Sequence, residues 1–113
     1  MLVNLGVNDG IPVAATWKAN YQTIIDAIHA KWPSVLIYIT RPWRSTGGTH
    51  WDDIAGYIDD LVAANPTFVF VGDDERVWVK GADNGATMTT DGVHYSAAGE
   101  AEAVLQKKAV LGY

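Results

Sequence analysis

No cysteine occurs among the 113 residues, which removes disulfides, thiolate metal sites and a cysteine nucleophile together, while naming no compartment. Long apolar runs are also absent. The best candidate, residues 35–40, is strand-sized and far from the ~20 residues a membrane-spanning helix needs, so no membrane partner is expected. Positive charge is scarce: eight Lys and Arg against thirteen Asp and Glu give a net charge of −5, with no basic run. That balance repels phosphate backbones, and nucleic acid is not an expected partner. What the chain has is apolar bulk. It is 49% hydrophobic with five Trp and five Tyr, enough for one core in a single domain over residues 1–113 and too little chain for two.

Strand and helix patterns alternate without a linker or repeat. Residues 2–7, with Leu2, Val3, Leu5 and Val7, form an apolar run that meets Asn8-Asp9-Gly10. Trp17, Tyr21, Ile24, Ile25, Ile28 and Trp32 recur at helical spacing until Pro33 stops them. Residues 35–40 are β-branched and almost continuously apolar, as in a strand covered on both faces of a parallel sheet, and Arg41-Pro42-Trp43-Arg44 opens the loop beyond them. Trp43 there suits a pocket wall and a core cover equally well.

A second helix is expected after a Thr49 cap, with Trp51, Ile54, Ile58, Leu61 and Val62 inward and Asn65-Pro66 at its end. Residues 67–71 read as the third strand. A long connection follows over residues 72–95, with Val77-Trp78-Val79 a short extended piece. The last helix starts at a Ser96 cap, with Glu100 early and Lys107 and Lys108 late, as its dipole favours. Ala97, Ala101, Val104, Leu105 and Leu111 are expected to face inward. The order β-α-β-α-β-α implies right-handed crossovers and a parallel sheet, with the first two helices on one face and the last on the other.

Two motifs bracket this framework. Gly6-Val7-Asn8-Asp9 ends the first strand, and Asp91-Gly92-Val93-His94 precedes the last helix, so both lie at the rim where open α/β sheets bind ligands. An acid three residues before a histidine is a ready-made pair of base and orienter. Asn-Asp-Gly is ordinary turn chemistry when alone, and Asp-x-x-His alone can cap a helix. Together, with two βα units between them, they resemble the Gly-x-Asn-Asp and Asp-x-x-His blocks of the SGNH (GDSL-type) hydrolase family.

The resemblance implies a three-layer, flavodoxin-like SGNH fold truncated to β-α-β-α-β-α. It also implies a serine ester hydrolase acting on a small-molecule ester, a carboxylic ester or a carbohydrate ester. In that scheme His94 is the general base, Asp91 orients it, Asn8 donates to the oxyanion, Gly6 allows close packing, and Asp9 supports the loop. The family's Gly-Asp-Ser block is not found. Ser34 falls at the amino end of a strand, Ser45 lies in the loop after Arg44, and Ser96 reads as a cap.

The expectation is therefore a fragment that is weakly active or inactive alone. The alternatives are a non-catalytic, self-associating interaction protein, or half of an esterase completed by another chain. Homo-oligomers would pair through the edge strand at residues 2–7, which has no Pro, Lys or Arg to block pairing. No cofactor and no metal are implied. Asp73-Asp74-Glu75 and Asp52-Asp53 read as solvated charge, because adjacent acids diverge. His29 and His50 read as structural residues, one late in the first helix and one in the first turn of the second.

Overall fold

The computed structural model describes residues 1–5, 13–45, 50–81 and 83–113. Three parallel strands, β1 (Leu2–Val3), β2 (Ile37–Arg41) and β3 (Val69–Asp74), form one sheet in the order β1-β2-β3. Helices α1 (Ala14–Lys31) and α2 (His50–Ala64) are the two crossovers; a single turn, α3 (Glu75–Trp78), and a final helix, α4 (Ala97–Leu111), follow β3. The chain is thus α/β with the parallel β-α-β-α-β-α order that strand and helix alternation implies. No helix among the described residues is long and apolar enough to cross a membrane.

The two crossover helices pack side by side. Lys18 bonds Asp60 at 2.8 Å, and the amides of Gln22 and Asn65 bond reciprocally at 2.9 and 3.1 Å. Beneath them lies the core: Trp17, Tyr21 and Ile25 from α1, Trp51, Ile54, Ile58 and Leu61 from α2, and Ile37, Ile39 and Val69 from the sheet. Each fully buried isoleucine of this group stabilises the fold by roughly 1.5–3 kcal/mol. The stripe on α1 is narrower than its sequence suggests, because Ile24 and Trp32 are exposed. Trp32 is the residue that ends the helix, and Pro33 turns the chain away there.

Strand alternation sends the neighbouring side chains to the opposite face. There Thr40 donates to Asp73 at 2.6 Å, and Lys107 of α4 donates to the same carboxylate at 3.2 Å, so α4 crosses the sheet over β3. Tyr38 and Phe70 stand half-buried on this face with ring centroids 5.6 Å apart. Between Ile39 and Arg41 the pairing slips, and Gly72 lies there because a Cβ would sit 3.1 Å from the Ile39 carbonyl carbon.

Further expectations are corrected. The first strand, expected over residues 2–7, is Leu2–Val3, and Asn4 and Leu5 lie outside it. The third strand runs to Asp74 rather than stopping at 71, because the polar groups at its end are hydrogen-bonded and the strand outlasts its apolarity. Residues 77–79 contribute to a helical turn rather than an extended piece, since Asp74 caps that turn by accepting from the Arg76 N–H. The inward face of α4 is Gly99 and Ala103, while Val104, Leu105 and Leu111 are exposed. Small residues face inward because α4 runs against the 85–95 segment: a Cβ on Gly99 would lie 3.3 Å from that of Tyr95. The Ser96 cap is as expected, its hydroxyl accepting from the Gly99 N–H at 3.1 Å; the Thr49 cap lies outside the described residues.

Candidate functional site

The carboxyl end of β2 opens onto residues 42–45, β3 ends in Asp73 and Asp74 with Glu75 next, and the segment before α4 returns to the same rim. Gly6, Asn8 and Asp9 lie outside the described residues. Asp91 and His94 are described, and they meet: His94 Nδ1 lies 2.7 Å from Asp91 Oδ2. The other carboxylate oxygen of Asp91 accepts from the backbone N–H groups of Val93 at 2.9 Å and His94 at 2.8 Å. The aspartate is thereby tied to the peptide that carries its partner.

These bonds hold the Asp91 carboxyl well below the usual carboxylate range, through the His94 N–H first, then the imidazole and the Val93 N–H. An ionised Asp91 only accepts, so the proton between the two belongs to Nδ1. Neutral His94 therefore carries its lone pair on Nε2, the atom a general base uses. The imidazole is 78% exposed and so is open to a reactant.

The turn is fixed from both sides. The Thr90 N–H donates to the His94 carbonyl at 2.9 Å, the Gly92 N–H to the buried Thr89 hydroxyl at 3.0 Å, and the Ser45 N–H to the Gly92 carbonyl at 2.8 Å. Gly92 has φ +82°, a conformation that favours glycine. Of Ser34, Ser45 and Ser96, Ser45 contacts Gly92 within the turn, whereas the Ser96 hydroxyl is engaged with the Thr87 carbonyl and the Gly99 N–H. An open pocket of about 390 Å³ adjoins them, lined by Ser45, Asp83, Asn84, Thr90, Asp91 and Gly92 among others. Thr87, first through its hydroxyl, holds the Asp83 carboxyl below its ordinary value there.

Asp73 and Asp74, which end β3, and Glu75 beyond them overturn their reading as solvated charge. Asp73 is buried and accepts from Thr40, Lys107 and the Trp78 indole N–H, the last at 3.2 Å. Asp74 pairs with Arg76 at 2.6 Å, and this hydrogen bond is the main cause of the upward shift of the Arg76 guanidinium. Glu75 has no exposure at all. One of its oxygens accepts from the Asn4 amide at 3.2 Å and from the Tyr95 hydroxyl; the other accepts from the Trp43 N–H at 3.1 Å and the Arg44 guanidinium at 2.6 Å.

Burial and the Glu75 charge both push the Tyr95 hydroxyl upward, so it stays a neutral donor. Its ring also lies 5.1 Å from the Arg44 guanidinium carbon. Trp43, open between two roles, belongs to the core, with a ring atom 2.7 Å from where a Cβ on Gly85 would be. Arg41 pairs outward with Asp59 and Asp74. His29 stacks on Phe68 with centroids 3.9 Å apart, and buried His50 packs on Trp51. Against known proteins, no family model, curated sequence or solved structure matches the chain.

Proposed function

We propose that this chain is an SGNH-type ester hydrolase domain in which His94 is the general base, Asp91 its orienter and Asn8 an oxyanion donor. One observation carries the reading. Asp91 binds the imidazole at 2.7 Å and the backbone of His94 at 2.8 Å, leaving Nε2 on an exposed ring at the rim of a parallel sheet. A base so placed takes a proton from an attacking hydroxyl or water as its oxygen bonds to the ester carbonyl carbon. It returns the proton to the leaving alcohol oxygen as that carbon–oxygen bond breaks. Gly6 and Asp9 would shape and support the segment bearing Asn8. No Gly-Asp-Ser motif occurs in these 113 residues, and the attacking oxygen that His94 would activate is taken to be that of water or of a serine outside them.

The deciding experiment is hydrolysis of an activated acetyl ester by the purified chain and by His94→Ala. A general base contributes about 10²–10⁴-fold, so loss of the imidazole should remove any turnover above buffer. With a side chain this exposed, the substitution should change stability by no more than about 0.5 kcal/mol. Turnover that survives His94→Ala contradicts the reading.

A second reading, a self-associating interaction protein without turnover, is favoured by two features. β1 is at the edge of the described sheet, and the outer side of α4 carries exposed Val104, Leu105 and Leu111. Hydrolysis absent from the wild type, alone and with a serine-bearing half added in trans, would favour it.

A further inference from the structure

We infer that Glu75 is a positioning residue for the His94–Asp91 pair, acting through the Tyr95 hydroxyl. The inference rests on the hydrolase reading for its purpose, but the ordering it describes can be measured without turnover. Glu75 is wholly buried at the carboxyl end of β3, and its two oxygens take four donors from three separate segments. Asn4 begins the segment that continues to Asn8; Trp43 and Arg44 precede Ser45; Tyr95 follows His94. One carboxylate thus fastens Asn4, the Trp43-Arg44 stretch that leads into Ser45, and Tyr95 beside the base.

The His94 end of this arrangement is the most constrained. Its carbonyl is held by the Thr90 N–H at 2.9 Å, the Ser96 N–H bonds the Met88 carbonyl at 2.9 Å, and Tyr95 pairs with Thr89 as an isolated bridge. These bonds fix the peptides on either side of Tyr95, and the phenol fixes the direction between them. Arg44 supplies the counter-charge that lets Glu75 be buried as an acceptor of the phenol. Asp91 then has a fixed peptide against which to orient the imidazole.

The Tyr95→Phe variant keeps the ring and deletes the hydroxyl, and with it the bond to Glu75 and the contact with Arg44. Nitrogen-detected NMR of the histidine ring reads the bonded His94 Nδ1 proton directly, and amide exchange reads Thr90 and Ser96. In Tyr95→Phe the Nδ1 proton signal should broaden and both amides should exchange at least tenfold faster, while amides of α2 stay unchanged. Ile54→Val, a core change far along the chain from the turn, is the control for general destabilisation and should leave the Nδ1 signal intact. Glu75→Gln, which removes the charge, should reproduce the Tyr95→Phe signature. The inference is overturned if Tyr95→Phe leaves the Nδ1 signal as in the wild type, or if Ile54→Val disturbs it equally. Absence of ester hydrolysis in every variant, with the NMR signature present, would instead count against the hydrolase reading alone.

Discussion

Ser45 and Gly92 touch so closely that a Cβ on residue 92 would overlap the Ser45 hydroxyl oxygen, and the Ser45 N–H also donates to the Gly92 carbonyl at 2.8 Å. The loop after β2 and the turn bearing the acid–histidine pair are therefore one packed unit. Gly92→Ala should cost about 1–2 kcal/mol for the left-handed backbone and a further ~1–3 kcal/mol for the clash. Chemical denaturation of Gly92→Ala, Ser45→Gly and the double variant separates these costs. The double variant should be more stable than the sum of the singles by at least ~1 kcal/mol. Strict additivity would show that the two residues do not meet.

Gly99 gives a prediction whose sign opposes helix propensity. In an open helix, Ala in place of Gly stabilises by about 1 kcal/mol. Here the new methyl would overlap the Met88 carbonyl oxygen and lie 3.0 Å from its carbon, so Gly99→Ala should destabilise by roughly 1–3 kcal/mol. A rise in the denaturation midpoint would place α4 further from the 85–95 segment than its contacts imply.

Acid should reach the turn late. The folded-state value of Asp91 is depressed, so its contribution to the order of the turn is present above the ordinary carboxylate value and is lost as pH falls through the lower folded value. The Asp91 side-chain carbon resonance should therefore remain that of a carboxylate at about pH 4, where unperturbed aspartates are half protonated. Titration of Asp91 at the ordinary value would mean the three bonds do not hold in solution.

The order of strands and helices is readable because apolar periodicity is local, and the Asp91–His94 pair is readable for the same reason, its partners being three residues apart. Glu75 is different: its donors come from 20, 31, 32 and 71 residues away. Only the parallel sheet, by bringing the carboxyl ends of its strands to one rim, puts them together. An acid at a strand end reads as solvated until its partners are known. The facing of α4 escaped for a related reason. Its large apolar residues suggest a buried stripe, whereas the inward face is Gly99 and Ala103, and the closeness of residues 88 and 95 leaves no room for a side chain at 99.

Pairing of two copies through β1 would join two three-stranded sheets about a two-fold axis. Light scattering at micromolar concentration should show a dimer, and Leu2→Lys should dissociate it. Val3 is unsuitable for this test, because its side chain is in the core and its loss would damage the protomer. A strict monomer in the wild type would remove β1 as an interface.

The final expectation concerns what a base without a serine can do. When the nucleophile of a complete triad is removed, oxyanion stabilisation and binding typically retain ~10³–10⁴-fold over water. His94 can add activation of water, which suffices for an aryl ester whose leaving group needs little protonation, but an alkyl ester requires the proton to be delivered as well. Weak or absent turnover on activated esters and none on alkyl esters is therefore expected, together with no stoichiometric labelling by a serine-directed phosphonate. Ser45 is the residue to watch, since it touches Gly92 in the turn carrying Asp91 and His94. A burst of one acyl group per chain, abolished by Ser45→Ala and by His94→Ala, would show that Ser45 acts as the nucleophile and that attack by water is not the route.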